Sequence, residues 1–315
     1  MPYYLGIDGG GTKTTCAVGD ESHLLATATA GPSNIVRVGD VQARESLQQS
    51  VRQACAAAGI TTAQISHTCV GGSGAAHPEM AAAVRRFLAE ILAASIDVVG
   101  DMQIALEAAF DSGPGVIVNA GTGSFAYGRD QQGTTVRAGG WGFAIGDEGS
   151  AHWLGRAAVN AVLRAADPRD ETPTGTLRQN SSLGAALLKA WGVTSLADLA
   201  RAANSMPPPN FADLFPAVAA SSDDLAAQVL TSAGRELAAV AMVVIRRLFA
   251  KDHTAGVPVA MTGGVFRHAA LVRQVFYNEL RAFDPRAEVN PQVVEPVEGA
   301  LRMARRAASR GAGRF

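Results

Sequence analysis

The feature that most constrains this chain is a run of three glycines between two short apolar segments near its start. Asp8 precedes Gly9-Gly10-Gly11, and Thr12-Lys13-Thr14 follows. Residues 3–7 and 14–19 have the composition of strands, so the glycines predict a tight turn between them. Glycines at such a turn let the backbone approach a phosphate and point N–H groups at it. A plain hairpin turn has the same composition, so both interpretations stay open for this segment alone.

A second small-residue loop, Asn119-Ala120-Gly121-Thr122-Gly123-Ser124, occurs in the other half of the chain. It also follows a predicted strand and opens a predicted hairpin, and alone it is equally ambiguous. Two such loops, each in the first hairpin of its half, are hard to explain by chance, so we interpret them as phosphate loops that hold a nucleotide from both sides. A third segment, Thr262-Gly263-Gly264-Val265, lies where a strand leads into a helix. Its glycines either border an adenosine or form an ordinary turn.

Strand and helix signals alternate along both halves of the chain. Composition and periodicity predict strands at residues 3–7, 14–19, 24–29, 66–70, 96–99, 115–119, 124–129, 134–138, 257–262 and 288–294. They predict helices at 40–58, 78–93 and 268–282, a short helix after Asp101, a helix-rich stretch at 150–251 interrupted at 206–210, and a last helix. A breaker cluster at 111–115 predicts a domain boundary. Because each half opens with a glycine-turn hairpin, we predict two α/β domains facing each other across a cleft, with the strand order left open.

Two acidic residues precede predicted helices. Asp101 ends a Val-Val-Gly-Asp run, and Asp147 lies in a Gly-Asp-Glu-Gly-Ser run. Asp is a common N-cap residue, so each is either a helix cap or a carboxylate of a site. Trp141, in a Gly-Gly-Trp-Gly run, is either a platform for a sugar face or a buried anchor. Asp8, at the end of the first strand, can hold Mg²⁺ through water, since Mg²⁺ usually keeps several waters.

Composition argues against several classes of partner. The chain has 315 residues with 27 Lys and Arg against 28 Asp and Glu, so neither nucleic acid nor an anionic membrane is expected. We interpret the basic cluster from Arg302 to Arg314 as a solvated helix face. The first residues lack the pattern of a secretory signal, and no apolar run reaches the ~18 residues of a membrane helix. Three scattered cysteines do not predict a disulfide framework, so we expect a cytoplasmic location.

Taken together and in this order, these segments resemble the N-acetylglucosamine kinase family. That family is also grouped as BadF/BadG/BcrA/BcrD-type ATPases, within the actin-like ATPase and hexokinase superfamily. The resemblance covers nearly the whole chain and is carried by residues 6–14, 33–34, 121–124, 139–142, 146–150, 263–264 and 298–300. It implies two actin-like (ribonuclease H-like) domains with a nucleotide and sugar cleft between them. The first spans residues 1–113 and is joined by the C-terminal helix at 296–315, and the second spans 114–295 with a helical insertion.

The resemblance also implies roles for single residues. Asp8 would be the acid on the Mg²⁺ side, and Asp101 would be the catalytic base and a sugar contact. The implied ATP site consists of Gly9, Gly10, Gly11, Thr12, Lys13, Gly121, Thr122, Gly123, Ser124, Gly263 and Gly264. The implied sugar site consists of Asn34, Gly72, Trp141, Gly142 and Asp147 together with Asp101. Residues 69–74 only approximate the small-residue loop of the family.

The implied reaction transfers the γ-phosphoryl group of ATP to an amino sugar of the N-acetylglucosamine or glucosamine type, at the 6-hydroxyl, with Mg²⁺ bound. The sequence also leaves open an ATPase that switches or activates a partner protein, and a sugar-binding regulator without activity. Activators of this superfamily carry paired cysteines for an iron–sulfur cluster, whereas Cys16, Cys55 and Cys69 fall in predicted strands and a helix. We expect a small-molecule sugar as ligand. A homodimer is a common state for soluble proteins, and the sequence does not decide the oligomeric state.

Overall fold

The computed structural model describes residues 2–72, 74–75, 77–167, 181–250 and 256–312. The chain divides into two compact units, which we call unit 1 (Met1–Pro114 with Val294–Phe315) and unit 2 (Gly115–Val293). The described strands are β1 (Tyr3–Gly9), β2 (Thr14–Gly19), β3 (Leu24–Ala30), β4 (Ile65–Gly72), β5 (Ser95–Gly100), β6 (Gly115–Ala120), β7 (Ser124–Arg129), β8 (Thr135–Gly139), β9 (Val257–Thr262) and β10 (Ala287–Val294).

The described α-helices are α1 (Ile35–Ala57), α2 (Pro78–Ala89), α3 (Asp101–Phe110), α4 (Ala151–Ala166), α5 (Ser182–Trp191), α6 (Leu196–Ala203), α7 (Phe215–Ala220), α8 (Asp224–Phe249), α9 (Gly264–His268), α10 (Ala270–Phe283) and α11 (Pro296–Ala312). Short 3₁₀ turns cover Thr62–Gln64 and Phe211–Leu214.

The sheets of the two units have the same arrangement of strands. The order is β3-β2-β1-β4-β5 in unit 1 and β10-β9-β6-β7-β8 in unit 2. In each unit the first strand pairs antiparallel with the second (β1 with β2, β6 with β7) and parallel with a later one (β4 or β9). The repeat predicted from the two glycine-turn hairpins is therefore present in the fold.

Alternation along β1 divides the apolar side chains of unit 1 between two buried clusters. Leu5 and Ile7 pack in one cluster with side chains of α1 and α2. Tyr4 packs in the other with Ile104 of α3 and Leu301 of α11. Because successive strand residues point to opposite faces, a sheet covered on both sides needs apolar residues in an unbroken run, as β1 has.

The last helix, α11, packs so closely against the rest of unit 1 that backbone atoms are in contact. A Cβ added to Gly6 of β1 would lie 2.3 Å from the Leu301 nitrogen, and one added to Gly299 would lie 2.0 Å from the Ile104 carbonyl oxygen. Real side-chain carbons do not approach so closely, so both positions need glycine. The two glycines let α11 lie against the sheet and α3 with only backbone between them.

The basic cluster at the C-terminus is bound to unit 1, so its interpretation as a solvated helix face is wrong for three of its arginines. Arg305 donates to the Asp20 carbonyl at 2.7 Å and to the His23 carbonyl at 2.8 Å. Arg302 donates to Asp111 at 3.0 Å, and Arg306 forms an ion pair with buried Glu107. The positive charge serves intramolecular contacts here. Residues 313–315 lie outside the described part of the chain.

Helix α1 begins earlier than the sequence predicts. Asn34 caps it by accepting a hydrogen bond from the Arg37 nitrogen at 3.3 Å, and Gly39, with φ 75°, breaks the helical geometry after the first turn. The predicted start at Asp40 is therefore the start of the regular helix that follows Gly39. Glycine adopts this left-handed backbone at little steric cost, which explains the break at this position.

The core of unit 2 is built around α8. Leu237, Ala241 and Val244 of this helix are fully buried in one cluster with residues of β6, β9 and α4. Among the described helices, α8 is long and apolar enough to cross a membrane, and half of its most apolar segment is buried inside the fold. Helices α5 and α6 together reach the same length and apolar character, but they are bent where they meet. Burial within a unit is also a property of the core helix of a globular domain.

The helix-rich stretch is interrupted at 206–210 as predicted, and the helix predicted at 268–282 is α10, preceded by the short helix α9 that the sequence did not predict. Residues 168–180 and 251 of the predicted helix-rich stretch lie outside the described residues.

Candidate active-site elements

Three parallel strands of unit 1 end in step. The register pairs Asp8 and Gly9 of β1 with Gly71 and Gly72 of β4, and Gly72 in turn with Gly100 of β5. Ligands of α/β sheets bind outside the carboxyl ends of such strands. The register therefore brings Asp8, Gly9, Gly72 and Asp101, which follows Gly100, to one edge of the sheet.

Asp8 is a half-buried carboxyl in an acidic environment. Its pKa is raised from 3.8 to about 7, mainly by burial. The negative charges of Asp101 and, to a smaller extent, Glu295 contribute to this rise, and the positive charge of Lys13 opposes it. Glu295 lies just before α11 and was not among the residues that the sequence singled out. A group with this pKa gains from a nearby cation, because positive charge stabilises its ionised form.

The glycine loop after β1 is a tight turn held by two backbone hydrogen bonds. Gly10 donates its N–H to the Lys13 carbonyl at 3.0 Å, and Ser33 donates its N–H to the Gly10 carbonyl at 3.1 Å. A Cβ on Gly9 would lie 2.8 Å from the Ser33 hydroxyl oxygen, so close packing requires glycine there. Thr12 and Lys13 are exposed at the tip. The loop thus presents backbone and a cation at the surface next to Asp8.

A pocket of about 360 Å³, including its open mouth, lies beside this loop. Asn34 and Gly72, two of the predicted sugar contacts, line it together with Gly9 of the phosphate loop. The remaining lining residues are uncharged and mostly apolar: Ser33, Ile35, Val36, Leu47, Val70, Ala75, Met80 and Val84. The structure therefore places Asn34 and Gly72 in one cavity, whereas Asp101, the third predicted sugar contact of unit 1, is not among its lining residues.

The cap of α1 fixes the orientation of Asn34 in that pocket. Its Oδ1 accepts from the Arg37 nitrogen, so this oxygen is used inside the protein. The amide Nδ2 is then the group of Asn34 available to a ligand, and it can only donate.

Asp101 is the first residue of α3 rather than its cap, because Gly100 occupies the N-cap position. One carboxylate oxygen accepts from the Met102 nitrogen at 2.9 Å. A carboxylate at this position is stabilised by the positive end of the helix dipole, which favours its ionised form. The helix-cap interpretation of Asp101 is therefore wrong.

In unit 2 the second small-residue loop is bonded to its surroundings. Gly121 donates to the Gly123 carbonyl at 2.9 Å, and its own carbonyl accepts from the Ala151 nitrogen at 2.8 Å. The Ser124 hydroxyl donates to the Glu148 carbonyl at 2.7 Å, and Thr122 is half-buried within the loop. These bonds link the loop to the start of α4, so it has a defined shape.

The glycine pair after β9 lies against this loop. Gly263 has φ 103°, and a Cβ there would lie 2.4 Å from the Ala120 carbonyl oxygen at the end of β6. A Cβ on Gly264 would meet open space. The predicted adenosine-side glycines thus adjoin the predicted phosphate loop at the carboxyl ends of β6 and β9.

Asp147 is buried and is not a helix cap, since Ser150 caps α4. Its Oδ1 accepts from the Gly142 nitrogen at 3.1 Å, and a Cβ on Gly123 would lie 2.7 Å from its Oδ2. Burial raises the pKa of this carboxyl, and the Gly142 hydrogen bond opposes the rise. Asp147 has φ 59°, a left-handed backbone that is uncommon for residues other than glycine. Such strained residues cluster at functional sites.

Trp141 is exposed over 78% of its surface, so its interpretation as a buried anchor is wrong. The backbone around it is unusual: Gly139, Gly140 and Gly142 have φ values of 69°, 70° and 98°. An exposed indole next to a buried carboxylate is an arrangement suited to a sugar, which offers an apolar face and polar edges.

Each unit therefore gathers its own part of the predicted site residues. Among the described residues no group of three or more His, Cys, Asp or Glu is arranged to hold a metal ion. The three cysteines are free and buried.

The model of the BadF/BadG/BcrA/BcrD ATPase family matches residues 5–304. The chain belongs to this family. The match includes both glycine loops, the acids Asp8, Asp101 and Asp147, and the start of α11, so the family pattern extends over both units. Membership confirms the family resemblance that the sequence suggested.

Two relatives that the chain matches in sequence are kinases by name. The chain is 35% identical over 173 residues to the N-acetylmuramic acid/N-acetylglucosamine kinase of Clostridium acetobutylicum, covering 54% of this chain and 56% of that kinase. It is 27% identical over 318 residues to the N-acetyl-D-glucosamine kinase of Dictyostelium discoideum, covering 96% and 97%.

A solved structure of a protein assigned as an N-acetylglucosamine kinase, from Chromobacterium violaceum, superimposes with a TM-score of 0.71 at 27% identity and covers 96% of this chain and 99% of that one. This similarity and the two sheets confirm the predicted fold class, two α/β domains of the actin-like type.

Proposed function

We propose that this BadF/BadG/BcrA/BcrD-type ATPase is an ATP-dependent kinase that phosphorylates the 6-hydroxyl of an amino sugar. The observation that carries the proposal is the common edge of unit 1, where a glycine loop, two aspartates and an uncharged pocket lined by Asn34 and Gly72 adjoin. A regulator without activity would not need the two aspartates, and a general ATPase would not need the pocket. The names of the related kinases support the same reaction class.

In the proposed reaction the sugar oxygen attacks the γ-phosphorus of ATP. The bond from that phosphorus to the bridging oxygen breaks, the new bond to the sugar oxygen forms, and the hydroxyl proton passes to Asp101. Asp101 lies in the first turn of α3, where the positive end of the helix dipole favours the carboxylate form that accepts this proton. The loops at Gly9–Lys13 and Gly121–Ser124 supply backbone N–H groups to the phosphates, and Gly263 and Gly264 border the adenosine.

The residues present suit a hydrated Mg²⁺. Asp8 has a raised pKa because it is buried near Asp101 and Glu295, and a divalent cation would relieve this repulsion. Mg²⁺ keeps several waters and needs few protein ligands, so the lack of a three-residue cluster among the described residues is compatible with it. Asp8 would hold the ion, which when bound neutralises charge on the phosphates.

The sugar is proposed to contact Asn34, Gly72 and Asp101 of unit 1 and Trp141, Gly142 and Asp147 of unit 2. None of the described residues that line the pocket of unit 1 is charged, which favours an N-acyl group over a free ammonium group on the sugar. Asn34 can donate its amide N–H to an acyl carbonyl or a hydroxyl oxygen, whereas Asp147 can only accept when ionised.

The alternative, an activator of a partner protein through an iron–sulfur cluster, is not favoured by the cysteines. Cys16, Cys55 and Cys69 are all buried, and burial raises the pKa of each thiol. Buried thiols of this kind are poor metal ligands, because the thiolate is the ligand. We also propose a cytoplasmic location, in keeping with free thiols, and leave a homodimer as a hypothesis.

The test is ADP release over a panel of N-acetylglucosamine, N-acetylmuramic acid, N-acetylmannosamine, glucosamine and glucose. We expect slow hydrolysis of ATP alone and a strong rise with an N-acylated sugar, with the phosphate located by NMR on the 6-oxygen. A high basal ATPase that no sugar changes would favour the switch, and sugar binding without ADP release would favour the regulator.

A further inference from the structure

The loop that carries Trp141 has little intrinsic rigidity. Gly139, Gly140 and Gly142 all adopt left-handed backbone conformations, and glycine has more conformational freedom to lose than any other residue. A loop of this composition would move unless other groups held it. If Trp141 is to meet a sugar at a defined position, some contact has to fix the backbone on each side of it.

Arg137, on the edge strand β8, supplies such a contact on the N-terminal side. Its Nε donates to the Gly139 carbonyl at 3.1 Å, and its Nη2 donates to the Gly140 carbonyl. A Cβ on Gly140 would lie 2.4 Å from this Nη2, so the guanidinium can come this close only because residue 140 is glycine. The planar fork of arginine suits two neighbouring acceptors in a way that a lysine ammonium does not.

Asp147 holds the C-terminal side of the same loop. The Gly142 nitrogen donates to its Oδ1 at 3.1 Å. A Cβ on Gly146 would lie 3.2 Å from the Trp141 Cβ, so the returning chain packs against the base of the indole. Trp141 therefore lies between two anchors, Arg137 before it and Asp147 after it, while its own ring remains exposed.

We propose that Arg137 is a positioning residue, which fixes the Gly139–Gly142 backbone so that Trp141 and the Gly142 N–H are already arranged for the sugar. This rests on the proposed function of Trp141 and Asp147 as sugar contacts. Arg137 itself bonds to the backbone of the loop and acts through Trp141. The alternative is that Arg137 is an ordinary exposed arginine of an edge strand, with no effect on the ligand.

The experiment compares Arg137→Gln and Arg137→Lys with Arg156→Gln, an exposed arginine of α4 in the same unit. We expect both Arg137 variants to raise the KM for the sugar roughly tenfold, the loss expected for a charge-assisted hydrogen bond. The kcat and the KM for ATP should stay near those of the Arg156 control. Free guanidinium ion at low concentration should restore part of the sugar affinity of Arg137→Gln.

A sugar KM close to that of the control in both Arg137 variants would overturn the inference. So would a parallel rise in the KM for both substrates with a lower Tm, because this is the result of a merely structural role.

A ligand-free measurement separates this inference from the proposed function. With Trp153 and Trp191 replaced by Phe, Trp141 is the only tryptophan, and its fluorescence anisotropy reports the mobility of the loop. Arg137→Gln should lower that anisotropy even if the protein phosphorylates no sugar. An unchanged anisotropy would refute the positioning role, whereas inactivity of the wild-type chain on every sugar would refute only the proposed function.

Discussion

Replacing Asp8 by Asn should stabilise the ligand-free protein at neutral and alkaline pH while abolishing phosphoryl transfer. Burial and the acids at Asp101 and Glu295 raise the pKa of Asp8 from 3.8 to about 7. A carboxyl with a raised pKa is harder to ionise in the folded chain than in the unfolded one. Asn removes the charge and keeps nearly the same shape, so it removes this cost.

The size of the effect follows from the pKa. Each pKa unit corresponds to about 1.4 kcal/mol. The rise from 3.8 to about 7 therefore sets an upper limit of roughly 4 kcal/mol on the gain in unfolding free energy. Partial solvent exposure of Asp8 and relaxation of its neighbours reduce this, so we expect a gain of at least about 1 kcal/mol.

Because the pKa of Asp8 is raised on folding, the stability gained by Asp8→Asn depends on pH. Well below pH 3.8 the carboxyl is protonated in both states, and Asp8 costs nothing. As the pH rises toward about 7, the unfolded chain loses this proton before the folded chain does, so wild-type stability falls. The advantage of Asp8→Asn should thus grow between these pH values and then level off.

Urea unfolding at several pH values, without Mg²⁺ or nucleotide, measures this difference. Asp40→Asn, on the exposed surface of the same unit, is the matched control for replacing an aspartate. The reasoning is refuted if Asp8→Asn is no more stable than wild type at about pH 8, or if its advantage is the same at about pH 4. Added Mg²⁺ should stabilise only the wild type, because the variant lacks the carboxylate.

Three further changes test other parts of the site and fold. Asp101→Asn should lower kcat by at least ~10²-fold at saturating sugar and ATP with little change in Tm, because this side chain is not the helix cap; near-normal turnover would exclude it as the base. Asn34→Asp keeps a capping oxygen for α1 but loses the amide donor, so calorimetry should show roughly tenfold weaker sugar binding at unchanged Tm. Gly299→Ala places a methyl 2.0 Å from the Ile104 carbonyl and should cost about 1–3 kcal/mol in urea unfolding, whereas Ser309→Ala on the same helix should not.

Local chemistry in the sequence was enough for most element boundaries. β2, β7 and β9 have the bounds that their apolar runs and flanking turn residues predict. The start of α1 was missed because the cap at Asn34 is followed by Gly39, which interrupts the pattern. The order of strands was not predictable, since it depends on pairings between residues far apart in the chain, such as Gly9 with Gly72.

The sequence indicated the residue types of the site but not their surroundings. It singled out Asp101 and Asp147 yet could not say whether each caps a helix, because that depends on the backbone of Gly100 and Ser150. Arg137 carries no local signal, since an arginine on an edge strand is ordinary until its two carbonyl partners are known. A Gly-Gly-Trp-Gly run with an arginine two residues before its first glycine is the pattern that would have suggested it.

The position of α11 has a consequence for how the chain is made. Unit 1 comprises the first 114 residues and the segment from Val294 onward. During synthesis, the face of β1 and α3 that carries Tyr4 and Ile104 must wait until all of unit 2 has been translated before Leu301 arrives to cover it. At roughly 5–20 residues per second this delay lasts on the order of ten seconds or more. The nascent first unit therefore spends that time with an uncovered apolar face. Chaperones bind such faces, and a chain truncated before α11 would expose the same face and aggregate through it.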